Sequence, residues 1–207
     1  MPAPIQTMSD SRQSRPILGH VNLMVDTFLA NATADELRAI IRGLLSSGSP
    51  TVTTAFLGAA RRRLAQPAAA GAAGHPSLFK RGQVEGEVVP TSELHDTLRK
   101  ARTLYGAGLG FSSLRVLARP VRAIAGFRWH DSALLESTFA EIDADISQAL
   151  QSSREEWESG RLADIATARA AVDELKAAIR DSQLAVQSWR GVFPFERAAA
   201  TLEFWKI

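Results

Sequence analysis

The feature that most constrains this chain is the spacing of apolar residues over residues 165–189. Ile165, Ala168, Val172, Leu175, Ile179, Ser182, Val186 and Trp189 recur at alternating steps of three and four. A strand needs a period of two, so this pattern specifies a long helix with one buried seam, sustained over about three heptads. Small residues at Ala168 and Ser182 suit close packing against a neighbour within one chain better than a self-standing zipper. The seam therefore predicts the inner helix of an intramolecular bundle.

The rest of the chain reads in the same register. After a Pro- and Ser-rich lead-in, expected to be disordered over residues 1–14, Ile17, Leu18, Val21, Met24, Val25, Phe28 and Leu29 trace one helical face. Thr33 and Glu36 form a capping box ahead of Leu37, Ile40, Ile41, Leu44 and Leu45, and Gly48 closes that helix. Pro50 opens a third, ending on Arg61, Arg62 and Arg63, where cations favour the helix dipole. Residues 66–90 lose the periodicity and read as a flexible linker, with the piece from Gln83 to Val89 taken as loop. Beyond it the pattern predicts helices opening near Thr91, near Ser112 or Ser113, and at Asp131 and Ser132, then the seam helix and a short aromatic terminal helix. The expected fold is all-α, with about seven helices. It has an N-terminal group of three over residues 15–65 and a four-helix-type bundle over 91–207.

Composition excludes several chemistries. The 207 residues contain no cysteine, which removes disulfides, thiol catalysis and thiolate metal sites. Dispersed His20, His75, His95 and His130 make no ligand set, and no short catalytic motif occurs. The reading therefore assigns no catalytic residues, no metal and no cofactor. All but Lys80, Lys100, Lys176 and Lys206 of the 24 cations are arginine, yet the net charge is only +2, which gives no case for nucleic-acid binding. Arginines interrupt every apolar run, so no transmembrane segment is expected. The N-terminus lacks a secretory pattern. Arg12 and Arg15 faintly resemble a mitochondrial presequence, against which Asp10 and Asp26 stand. The expected compartment is cytoplasmic or nuclear.

One stretch invites a site. Gly106, Gly108 and Gly110 form a glycine-rich turn that leads into Ser112 and Ser113 at the start of a helix. Arg115, Arg119 and Arg122 make a cationic stripe along that same helix. Backbone amides at a helix N-terminus can hold a phosphate or carboxylate, so these eight residues are the candidate anion-binding set. The same glycines also serve for a tight turn or a close helix approach. The charge pattern suggests an internal use of the arginines. Residues 91–130 carry seven cations against two carboxylates, and residues 131–160 carry one against eight. Two such helices are expected to lie side by side and screen each other.

The expected function is a non-catalytic interaction protein that binds another protein through a bundle surface. The alternatives are a binder of an anionic small molecule or lipid headgroup at the glycine turn, with peripheral membrane contact, and an enzyme or carrier holding an apolar ligand inside the bundle. Oligomeric state is left open.

Overall fold

A computed structural model describes residues 23–66, 77–129 and 132–205. The expected lead-in over residues 1–14, the first turns from residue 15 and the alanine-rich part of the linker lie outside those residues. Eight helices and one small hairpin occur among them: α1 (Leu23–Asn31), α2 (Ala34–Ser46), α3 (Pro50–Ala65), β1 (Phe79–Arg81), β2 (Val88–Pro90), α4 (Ser92–Gly106), α5 (Gly110–Ile124), α6 (Ala133–Glu158), α7 (Ile165–Ser188) and α8 (Glu196–Glu203). The fold is all-α, as the periodicity predicts. The chain divides into two units, one ending at Thr53 and one beginning at Thr54.

In the first unit, the capping box at α2 is complete. Thr33 Oγ1 accepts from the Glu36 N–H, and the Glu36 carboxylate accepts from the Thr33 N–H at 2.7 Å. The helix is thus locally well specified, yet none of its residues is buried.

The second unit is built around α5. Its Leu114, Leu117, Val121 and Ile124 are fully buried, and it packs against α4, α6 and α7. The helix runs through Pro120, itself buried. The seam of α7 is buried over its middle as its spacing predicts, while its predicted first residue, Ile165, is 47% exposed and its last, Trp189, is half-buried. Ala168, Val172, Leu175, Ile179, Ser182 and Val186 are buried, and α5 is the helix it packs on most extensively.

The expected loop before α4 is not a loop throughout. Strands β1 and β2 pair antiparallel, Phe79 opposite Pro90 and Arg81 opposite Val88. Leu78, Phe79 and Val88 are core residues, so this end of the linker belongs to the bundle. Three-residue strands are too short for alternation to register, and their stability comes from Phe79, which packs against Phe127 and Phe139.

The acidity of α6 has a definite use, and it differs in part from the expected one. The N-cap residues of α5 and α8 are Leu109 and Phe195, neither of which caps with its side chain. Carboxylates of α6 serve instead. Glu156 accepts from the Phe111 N–H at 3.3 Å, and Asp143 accepts from the Ala198 N–H at 3.0 Å and from Arg197 Nε at 2.8 Å. A third carboxylate, Asp145, takes the Arg102 guanidinium of α4 through both oxygens and accepts from the Tyr105 hydroxyl at 3.0 Å. These three carboxylates are buried, a position tolerated only with such charge-assisted partners.

Candidate functional site

The three glycines of the turn perform three separate tasks. Gly108 has φ +77° and ends α4 in a Schellman arrangement, with its own N–H bonded to Tyr105 O and the Leu109 N–H to Leu104 O. Gly110 is the first residue of α5, two positions earlier than the serines suggested. A Cβ there would lie 2.2 Å from the backbone nitrogen of Ser153, so its missing side chain lets α5 approach α6. Gly106 has open space around its Cβ position.

The amide end of α5 already faces an anion, the protein's own. Glu156 receives the Phe111 amide, and the Gly110 amide lies close as well. Burial pushes the Glu156 carboxyl above its ordinary value, while those amides and the charges of Arg161 and Arg61 pull it back. Two cations outside the predicted set stand over the turn. Arg61 donates from Nε to Ala107 O at 2.6 Å, and the guanidinia of Arg61 and Arg161 both border Gly108. Of the two hydroxyls, Ser113 is buried and donates to Gly110 O at 2.6 Å, whereas Ser112 is exposed.

The arginine stripe of α5 does not meet the acidic helix. Arg115 donates to Thr167 O on α7 at 3.3 Å, Arg119 lies 4.0 Å from Glu93 of α4, and Arg122 pairs with Glu174 of α7 at 3.0 Å. The three therefore spread across two neighbours instead of converging with the glycine turn. These partners are partly exposed, so they set helix orientation more than stability.

A second region, at the hairpin end of the bundle, gathers the aromatic residues. Trp129 stands 5.1 Å from Phe139 and 4.8 Å from Trp189, each edge-on, and Phe193 packs edge-on against Phe195 at 5.7 Å. The Trp189 indole lies over Gly191, where a Cβ would come within 2.1 Å of the ring. Between them Arg190 adopts φ +61°, a left-handed conformation costly for a residue with a side chain. Of the predicted aromatic tail, Phe195 is core, Trp189, Phe193 and Trp205 are half-buried, and Phe204 is exposed.

Two open cavities adjoin Trp129. One, of about 1000 Å³, lies between the hairpin turn and residues 126–129, with Trp189 at its side. The other, of about 520 Å³, lies between α6 and the segment entering α8. Sequence reading missed both because their walls come from loop residues such as Trp129 and Phe193, which carry no periodic signal.

These features define a helical bundle with a hairpin at one end, two cavities beside a tryptophan pair, and a cationic turn filled from within. Among the described residues, no group of three or more His, Cys, Asp or Glu is placed to hold a metal ion. No helix among them is long and apolar enough to cross a membrane. No family model, curated protein or solved structure matches the chain.

Proposed function

We propose that this chain is a non-catalytic interaction protein that binds another protein through the apolar face of α2. One observation carries the reading. Helix α2 has a full capping box and a clean apolar face, yet Ile40 is 43% exposed and Leu44 54% exposed, Leu37, Ile41 and Leu45 are only half-buried, and no residue of the helix is fully buried. A helix of 13 residues gains little stability from propensity and caps alone; it holds in water by covering its apolar stripe. Val25, Phe28 and Leu29 of α1 are exposed in the same way. A partner presenting an apolar surface supplies the missing cover.

The polar side of α2 favours a protein over a membrane as that partner. Helices that lie on lipid surfaces are rich in lysine and arginine. Here Asp35 and Glu36 balance Arg38 and Arg42, and Arg38 is bonded to Asp35 at 2.7 Å.

Affinity capture from the protein's own cells, run in parallel with the Ile40→Asp, Leu44→Asp double variant, tests the proposal. The expected result is a protein held by the natural chain and released by the variant, with the two chains melting alike. A partner held equally by both overturns the assignment to α2. So does a natural chain that loses its bound material only to anionic vesicles.

A further inference from the structure

We propose that the cavity between α6 and the segment entering α8 binds an alkylated ammonium group. Its volume of about 520 Å³ falls within the roughly 300–1,000 Å³ of small-molecule sites. Trp129, Phe139 and Phe193 line it, together with Pro194. Trp129 and Phe193 keep part of their surface exposed, and Phe139, inclined at 62° to Trp129, is buried in contact with it. Aromatic faces are negative at their centres and attract a cation set against them, most strongly where water is excluded.

Carboxylates border the same cavity. Asp143 is committed to Arg197 and the Ala198 amide. Glu136 and Glu196 are not committed: neither carboxylate has a hydrogen-bond or ion partner among the described residues. With three carboxylates and one guanidinium around it, the cavity carries negative charge beside an apolar wall. That pairing suits a positive ligand with an apolar skin.

The combination selects among cations. A metal ion requires several oxygen ligands closing around it, and only two uncommitted carboxylates are present here, on α6 and α8. A primary ammonium brings three N–H donors, which ring carbons satisfy poorly. Methyl groups in place of those hydrogens turn the donors into apolar contact with Trp129, Phe139, Phe193 and Pro194, and the charge remains for Glu136 and Glu196. Such a group arrives either as a free choline-like molecule or as a methylated lysine side chain on a protein, and the shared trimethylammonium head is what the cavity recognises.

Calorimetric titration of the intact protein at fixed ionic strength tests this with four probes: choline, its neutral carbon isostere 3,3-dimethylbutanol, a peptide bearing trimethyllysine, and the same peptide with unmodified lysine. Saturable binding of choline or of the trimethyllysine peptide is expected, with the neutral isostere and unmodified peptide at least about tenfold weaker. Choline alone identifies a free small molecule as the source; the peptide alone identifies a protein side chain. The exposed pair Glu136→Gln, Glu196→Gln should weaken binding about tenfold or more while leaving the melting temperature unchanged. Phe193→Leu, which keeps apolar bulk but removes the ring, should weaken binding as well. No binding of either trimethylammonium probe at about 10 mM overturns the proposal. Equal binding of the neutral isostere also overturns it, as does binding indifferent to both glutamate substitutions.

Discussion

The Glu156 carboxylate of α6 caps the first turn of α5 by accepting the Phe111 N–H, a bond that spans 45 residues of sequence. It replaces a local cap that Leu109 cannot provide. Asp143 repeats the device at α8, so one acidic helix ends two others and takes a cation from α4 through Asp145. The charge asymmetry between successive segments thus serves two ends: α6 caps two helices, and it pairs with the basic segment through Arg102, which reaches both Glu141 and Asp145, while the arginines of α5 find other partners.

This arrangement has a pH signature. Burial, the largest influence on Glu156, raises its carboxyl above the ordinary value of 4.5. The folded protein then holds a proton over a range in which the unfolded chain has released it. Its contribution to stability is fully present below the unfolded value and is lost as pH rises through the folded one. Denaturant unfolding of the natural chain and of Glu156→Gln across this range should show the difference in stability falling as pH rises. A difference constant with pH would contradict the assignment.

The glycine turn separates three roles by one substitution each. Gly110→Ala drives a Cβ into the Ser153 backbone and should cost about 1–3 kcal/mol through overpacking. Gly108→Ala forces a side chain into the left-handed region and should cost on the order of 1 kcal/mol. Gly106→Ala meets open space inside α4 and should stabilise by up to about 1 kcal/mol. Thermal melts that rank the three otherwise would show the turn to be built differently.

At the other end, α7 closes with the same Schellman bonds, the Arg190 N–H to Gln187 O and the Gly191 N–H to Val186 O. Arginine stands in the position where glycine is usual. Arg190→Gly should therefore stabilise the bundle by about 0.5–1 kcal/mol, read as a rise in melting temperature. A fall would mean that the Arg190 side chain makes a contact worth more than the strain it carries.

What was legible in the sequence is what depends on near neighbours or strict periods. The Thr33 and Glu36 box spans four residues, and the α7 seam repeats every seven, so both could be read directly. The hairpin escaped because each strand has three residues and owes its place to Phe79 packing on distant rings. The predicted anion set was only partly assembled. Its amides and Gly108 do sit at one place, but the charges there are Arg61, Arg161 and Glu156, brought from other elements. Arg115, Arg119 and Arg122 share a helix face by periodicity, whereas their partners were set by which helices happened to flank α5.

The proposed function makes α2 a helix completed by its partner. Amide hydrogen exchange, followed residue by residue through Ala34–Ser46 in the isolated protein and in its captured complex, tests this most directly. The account predicts rapid exchange across α2 in isolation and strong protection in the complex, centred on Ile40 and Leu44, with α5 and α7 protected in both. An α2 already protected in the isolated monomer, or one that exchanges as fast in the complex, would contradict it.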